Sequence, residues 1–250
     1  MSSAAAAGLD AAFEVLAEVD STQTWLLGRP AQAQHQLHVC VAHHQTHGRG
    51  RLDRSWQSAP GDGLMVSVAF RPAVPSLVPL AAGVAVVRAV RAVLPEVSLK
   101  WPNDLIVDTE SSANGNAWKK LGGIVAAVHP DDPAVVVVGI GINWGFSAER
   151  PTETAGALSD FVQSVPTRES ILIAILEAMV TALSLPTSAL LDQYRELCST
   201  LGKAVRVTEV TGAVFEGTAT AVDENGLTVE SAQGVVKLFS SGDVEQLRNA

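Results

Sequence analysis

Residues Ala134 to Ile142 read Ala-Val-Val-Val-Val-Gly-Ile-Gly-Ile, a run with neither a charge nor a polar side chain. Branched side chains crowd a helix and fit a pleated strand, and an unbroken apolar run has no solvent face. The segment is therefore expected to be a strand buried on both sides, with layers above and below it. Other strands follow from weaker patterns. Phe13–Val19 alternates as a half-buried strand does, Leu37–Ala42 is a second, and Leu64–Phe70 puts Leu64, Val66, Val68 and Phe70 on one face. Ser98–Val107 and Leu121–Val128 read as strands joined by the polar loop Thr109–Trp118, a long hairpin.

Helices are signalled by caps and turns. Asp20-Ser21-Thr22 offers N-cap oxygens to a short helix through Trp25-Leu26-Leu27. Pro79 suits the start of a helix running to Leu94, with Leu80, Val84 and Val87 buried and Arg88 and Arg91 as a basic edge. Glu169–Ser184 and Thr187–Thr200 are expected as two amphipathic helices, with loop from 147 to 167, a connector at Ala31–Gln36 and disorder over residues 1–9. After Gly202 the pattern changes to the short strands Ala204–Thr208, Val214–Val222, Leu227–Glu230 and Val235–Phe239 between glycine-containing turns, which reads as a small barrel. The expected division is a large domain over residues 10–200 and a small one over 201–250.

The 250 residues carry a formal charge of -9, so general attraction to nucleic acid is not expected. Cys40 and Cys198 are the only cysteines, far apart, which favours a reducing cytoplasm over a disulfide framework. The Ala-rich start lacks the basic region of a signal peptide, and no stretch is long and apolar enough to span a membrane.

Against that acidic background, Gln45-Thr46-His47-Gly48-Arg49-Gly50-Arg51-Leu52-Asp53-Arg54-Ser55-Trp56 stands out. Glycine lets backbone approach a ligand, and the forked guanidinium groups of Arg49, Arg51 and Arg54 suit carboxylates and phosphates. A solvated turn is the plain alternative. Four other clusters could share a pocket with it. Asp20-Ser21-Thr22-Gln23 sets hydroxyls and an amide at a helix start, where an ordinary cap is equally possible. Lys100-Trp101-Pro102-Asn103-Asp104 embeds a cation, an amide and a carboxylate in apolar sequence, with Pro102 expected to hold Trp101 extended. Of Lys119 and Lys120, adjacent on a strand, one can point inward. Gly139-Ile140-Gly141-Ile142-Asn143 ends the most buried strand with glycines where a ligand can come close, but its spacing does not fit a dinucleotide fingerprint. Five of the six histidines fall between His35 and His47 without a complementary Cys or Glu, so no zinc site is expected there. Neither a Gly-x-Ser-x-Gly elbow nor a P-loop is present.

Taken in order, Ser21-Thr22-Gln23, Gln45 with Gly48-Arg49-Gly50-Arg51, Lys100-Trp101-Pro102-Asn103-Asp104, Lys120-Leu121-Gly122-Gly123-Ile124 and Gly139-Ile140-Gly141-Ile142-Asn143 resemble the biotin protein ligase family, monofunctional form. The resemblance implies an α+β fold, a mixed β-sheet catalytic domain flanked by helices as in class II aminoacyl-tRNA synthetases, with a C-terminal SH3-like β-barrel. It implies two steps: biotin and ATP, with Mg²⁺, give biotinyl-5′-AMP and pyrophosphate, and a lysine of a biotin carboxyl carrier domain then takes the biotinyl group. By the same resemblance Lys120, Arg51 and Asp104 are catalytic. Biotin falls to Ser21, Thr22, Gln23, Gln45, Arg49, Gly50, Arg51 and Lys120, and the nucleotide to Arg51, Trp56, Asn103, Lys120 and Asn143. Asp104 could orient either Mg²⁺ or the incoming lysine, and no metal ligand is assigned.

The chain departs from the family pattern in places. Asp53 stands where a third glycine is usual, Gln23 where Asn is common and Ala127 where Glu is frequent, and Thr109–Trp118 is long. Only about a dozen residues precede residue 13, so a winged helix that represses transcription is not expected, nor is a membrane partner; a monomer or weak dimer is. The competing functions are ligation of lipoate, which would lack the Gly-Arg-Gly-Arg and Lys-Trp-Pro-Asn-Asp motifs, and a non-catalytic biotin sensor.

Overall fold

The computed structural model describes residues 8–30, 36–52, 54–109 and 118–247. The expectations for residues 1–7, for Ala31–His35, for Asp53 and for the 110–117 part of the hairpin loop lie outside the described residues. In chain order the elements are β1 (Ala11–Val19), α1 (Thr22–Leu27), β2 (Leu37–Gln45), the two-residue strands β3 (Gly48–Arg49) and β4 (Ser55–Trp56), β5 (Gly63–Phe70), α2 (Val78–Arg91), β6 (Val97–Lys100), β7 (Asp104–Asp108), β8 (Trp118–His129), β9 (Asp132–Asn143), α3 (Arg168–Leu183), α4 (Thr187–Leu197), β10 (Ala204–Thr208), β11 (Val214–Asp223), β12 (Gly226–Glu230), β13 (Val236–Phe239) and β14 (Asp243–Gln246). Leu9, expected to be disordered, packs against the core ahead of β1.

Seven strands make one mixed sheet in the order β1-β2-β5-β9-β8-β7-β6. Only β1 and β2 run parallel; every other neighbouring pair is antiparallel. The apolar run is the central strand β9, where Val135 to Val138 are all buried, but it is not covered on both sides throughout: Ala134 is exposed, and Gly139 and Gly141 are half-buried because one face of the sheet is open over them. One face of the sheet, including Leu64, Val66, Val68 and Phe70, packs into the main core with α2, α3 and α4. The opposite face is open at its middle and carries α1 at one end, where Leu26 packs with Cys40 and Val137.

Three readings of the sequence need correction. The basic edge expected on α2 is not a free edge: the helix is clamped between the sheet and the other helices, so it is buried almost all round. Arg88 is its exposed residue, and Arg91 Nε donates to Val97 O at 2.9 Å. The helix also stops at Arg91 rather than Leu94. Ser98–Val107 is two strands, because Trp101-Pro102-Asn103 forms a turn with a cis Trp101–Pro102 peptide. Proline has no N–H to give a ladder, which suits the chain reversal. The turn also sets Lys100 directly opposite Asp104. Trp101 is thus a turn residue, its N–H held by Thr200 Oγ1 at 2.9 Å.

The C-terminal segment is a five-stranded antiparallel sheet, β13-β12-β11-β10-β14. Its fifth strand, β14, was not foreseen. Val205, Val207, Ala219, Val222, Leu227, Val229, Phe239 and Val244 fill its inner side and are continuous with the main core. Arg195 of α4 ties the two together by donating to Val222 O at 2.8 Å. Cys40 and Cys198 are free and buried, and burial pushes the Cys40 thiol up to about 12. Among the described residues, no helix is long and apolar enough to cross a membrane.

Candidate active site

Register explains the floor of the open face. Lys100, Asp104, Gly123, Gly141 and Met65 are successive cross-strand partners from β6 to β5, and opposed residues of antiparallel strands share a face. The two glycines in this row leave the backbone bare. A Cβ on Gly141 would stand 2.8 Å from Trp56 Cε2, so the Trp56 indole lies directly on the β9 backbone. That close approach is what the Gly-x-Gly of β9 permits.

Alternation along β8 puts Gly123 and Val125 on this face and would turn Lys120 away. The register slips by one residue between Leu105 and Ile106, so that Gly122 opposes Leu105 while Lys120 opposes Ile106. The extra residue in β8 is a bulge that returns Lys120 to the open face. Its Nζ reaches Asp104 Oδ1 at 2.6 Å and sits 5.9 Å from the Trp56 ring centre. Lys119 points elsewhere and donates to Glu153 O at 2.6 Å.

At the β2–β5 end the site is polar without formal charge. Ser21 caps α1, accepting from Thr24 N–H. Thr22 donates from both N–H and Oγ1 to Gln45 Oε1, at 2.7 and 2.9 Å, and its hydroxyl meets Ser67 Oγ at 2.8 Å. Gln23 Nε2 donates to Val125 O and Val137 O, at 2.9 and 3.2 Å. Buried polar groups need such partners, and this network fixes the side chains before any ligand arrives.

Cations gather at the other end. The arginine loop is a tight reversal between β3 and β4, with Gly50 N–H donating to Arg54 O at 2.7 Å. Arg51 Nη1 donates to Asn103 Oδ1 at 3.3 Å and to Gly242 O at 3.4 Å. Arg54 pairs with Asp243 of β14. Asn103 Nδ2 in turn donates to Ile124 O at 3.0 Å, which anchors the turn after β6 to β8. Burial pulls Arg51 below the usual guanidinium range, with Asp243 and Asp104 opposing the shift. Lys100 is only 7% exposed, and burial lowers its pKa against the opposing pull of Asp104.

Ser21, Thr22, Gln23, Gln45, Arg49, Gly50, Arg51, Trp56, Asn103, Asp104, Lys120 and Asn143 all border one cavity of about 900 Å³. Asn143 does so with its Nδ2 donating to Gly156 O at 2.9 Å, which holds the 152–156 segment to the rim. Lys100, Trp118, Asp243 and Glu245 also line the cavity and were assigned no role from sequence. Lys100 belongs to the cluster that the sequence marks as a pocket wall, and the cavity does include it, though without a role read from sequence. Asp243 and Glu245 carry no local signal, since only the fold brings β14 to the arginine loop. Of the histidines, His44 pairs with Glu18 at 3.0 Å and His129 bonds Arg29 O at 2.7 Å. Among the described residues, no group of three His, Cys, Asp or Glu side chains could hold a metal ion.

This fold, with its site split between a neutral and a cationic half, defines a class that can be matched. The profile of the biotin/lipoate A/B protein ligase family matches residues 15–143, and that of the biotin protein ligase C terminal domain matches residues 200–246. The chain belongs to the biotin/lipoate A/B protein ligase family. It is 35% identical over 248 residues to a biotin–[acetyl-CoA-carboxylase] ligase of Mycobacterium tuberculosis, covering 94% of this chain and 89% of that one. The biotin protein ligase of Aquifex aeolicus, solved in complex with biotin and ATP, superposes with a TM-score of 0.77 at 26% identity, covering 95% of this chain and 99% of the other. The Leishmania major enzyme in complex with biotinyl-5-AMP gives a TM-score of 0.62 at 27% identity, covering 92% and 98%.

Proposed function

We propose that the chain is a biotin protein ligase that attaches biotin to a lysine of a biotin carboxyl carrier domain through biotinyl-5′-AMP. The observation that carries this reading is the single cavity in which Arg51, Lys100 and Lys120 converge, in a chain of net charge -9. Biotin carboxylate and ATP are both anions. Cations already aimed at their meeting point lower the barrier without having to reorganise. The match of residues 200–246 to the biotin protein ligase C terminal domain supports biotin rather than lipoate.

In the first step a biotin carboxylate oxygen attacks the α-phosphorus of ATP, a C–O–P linkage forms and pyrophosphate leaves. Lys120 and Arg51 neutralise the charge that crowds there. Thr22, Gln23, Gln45 and the cap at Ser21 take the uncharged biotin head, while Arg49 and Gly50 bring the loop over it. Trp56, stacked on Gly141, offers an aromatic face to the adenine, and Asn103 and Asn143 position the backbone around the nucleotide. In the second step the acceptor amine attacks the biotinyl carbon, forming C–N as AMP departs and the nitrogen loses a proton.

Magnesium comes with ATP. Such an ion is held by one or two carboxylates together with substrate phosphates, and Asp104, on the cavity wall beside Lys120, would be one of them. When bound it would supply charge neutralisation on the phosphates. In the second step the same carboxylate suits the incoming lysine ammonium. The two free buried thiols fit a cytoplasmic setting. Biotin-dependent exchange of labelled pyrophosphate into ATP tests the reading; biotin binding without exchange would leave only a sensor.

A further inference from the structure

Lys120 stands at a break in its own sheet. The β8–β9 ladder begins with Gly122 opposite Ile142, so β9 gives Lys120 no backbone partner. On the other side Lys120 lies across from Ile106, just beyond the bulge. A loop segment supplies what β9 does not. Lys120 N–H donates to Thr154 O at 2.7 Å, and Lys120 O accepts from Gly156 N–H at 2.9 Å, a parallel bridge at Ala155. The segment presses so closely on β8 that a Cβ on Gly156 would stand 2.8 Å from Lys119 Cβ. The backbone that carries the reacting ammonium is therefore only as well fixed as residues 154–156.

Two side chains outside the cavity fix that segment. Arg150 Nη1 and Nη2 donate to Asp160 Oδ2 and Oδ1, both at 2.7 Å. The same Nη1 donates to Ala155 O at 3.0 Å, and Asp160 Oδ2 accepts from Ala157 N–H at 2.9 Å. The forked pair thus grips the backbone on both sides of Gly156, with the Arg150 guanidinium resting 4.7 Å from the centre of the Phe146 ring. A partly exposed ion pair contributes little stability in itself, whereas a reacting group displaced by about 1 Å can lose about a hundredfold in rate. We propose that Arg150 and Asp160 are positioning residues for adenylate formation: their pair fixes residues 154–156, which fix the backbone from which Lys120 is aimed.

The proposal rests on the ligase reading, and two kinds of measurement separate their failures. In single-turnover formation of biotinyl-5′-AMP, Asp160→Asn and Arg150→Met should each be about tenfold slower than wild type, with dissociation constants for biotin and ATP within about threefold of it. In the Lys120→Ala background Asp160→Asn should cause no further loss, because both changes remove the same thing. Trace acetylation of the native, ligand-free chain reads the aim of Lys120 without any reaction. Its ammonium is held protonated by Asp104 at 2.6 Å, so a displaced Lys120 should be acetylated several-fold faster in Asp160→Asn, relative to the exposed Lys203 as internal standard. Rate losses that multiply in the double variant, ATP affinity that falls as far as the rate, or unchanged acetylation of Lys120 would overturn the assignment. A wild-type chain that forms no adenylate would overturn the ligase reading, and the acetylation of Lys120 would then decide the positioning link by itself.

Discussion

Replacing Lys120 by alanine separates charge that binds from charge that accelerates. In the free protein its Nζ is already engaged by Asp104 at 2.6 Å, with the side chains 32% and 17% exposed. An incoming biotin carboxylate therefore shares a cation that is partly neutralised. Its gain from that contact is about 1 kcal/mol, so Lys120→Ala should weaken biotin binding only about fivefold. The transition state differs, because negative charge from two reactants is gathered within reach of the same ammonium. At about 4 Å and an effective dielectric near 20, two unit charges interact by about 4 kcal/mol. The part realised only in the transition state is what changes the rate. Loss of about 3 kcal/mol, or roughly a hundredfold in adenylate formation, is expected, similar to removing one oxyanion-hole donor. Rapid-quench measurement of biotinyl-5′-AMP under single-turnover conditions, beside calorimetry with biotin, reads both quantities. A dissociation constant that rises as much as the rate falls would refute the argument and reduce Lys120 to a ground-state contact.

Three other outcomes follow from the same geometry. Arg51→Ala, which removes the bonds to Asn103 and Gly242, should speed release of biotinyl-5′-AMP several-fold, followed by dialysis of the labelled intermediate; unchanged release would count against the clamp. Gly141→Val must lift the Trp56 indole, since even a Cβ would stand 2.8 Å from it, so ATP affinity should fall about tenfold while biotin affinity holds; equal affinities would show that Trp56 does not serve the nucleotide. The third concerns stability. Asp160 accepts from Arg150 in two bonds of 2.7 Å and from Ala157 N–H at 2.9 Å, and the Arg150 bonds hold its carboxyl below the usual range. A depressed folded-state pKa adds stability above the unfolded value near 3.9 and loses it as pH falls through the folded one. Asp160→Asn should therefore cost about 1 kcal/mol at pH 7 by urea unfolding, a cost that shrinks steadily as pH falls below about 4, and a cost that stays constant over that range would exclude the linkage.

Much of this was legible in the sequence because the deciding signals are local. The run in β9, the cap at Ser21 and the arginine loop each declare themselves within a dozen residues. What was hidden depends on partners far along the chain. Nothing near Lys120 announces the bulge that turns it to the open face, since a bulge is a mismatch between two strands. Arg88 and Arg91 looked like a solvent edge until α3 and α4 covered the rest of α2. Ser98–Val107 looked continuous because apolar residues flank the Trp101-Pro102-Asn103 turn on both sides. Asp243, which holds Arg54, lies almost two hundred residues away and enters the site only because β14 pairs with β10.

The central claim is that the cavity joins two anions and passes the product to a protein lysine. Intact-mass spectrometry of a biotin carboxyl carrier domain, incubated with this chain, biotin and ATP, tests it most directly. The account predicts a mass gain of one biotinyl group that requires ATP and disappears when the acceptor lysine is replaced. A carrier domain left unmodified while biotin and ATP are both bound would contradict it.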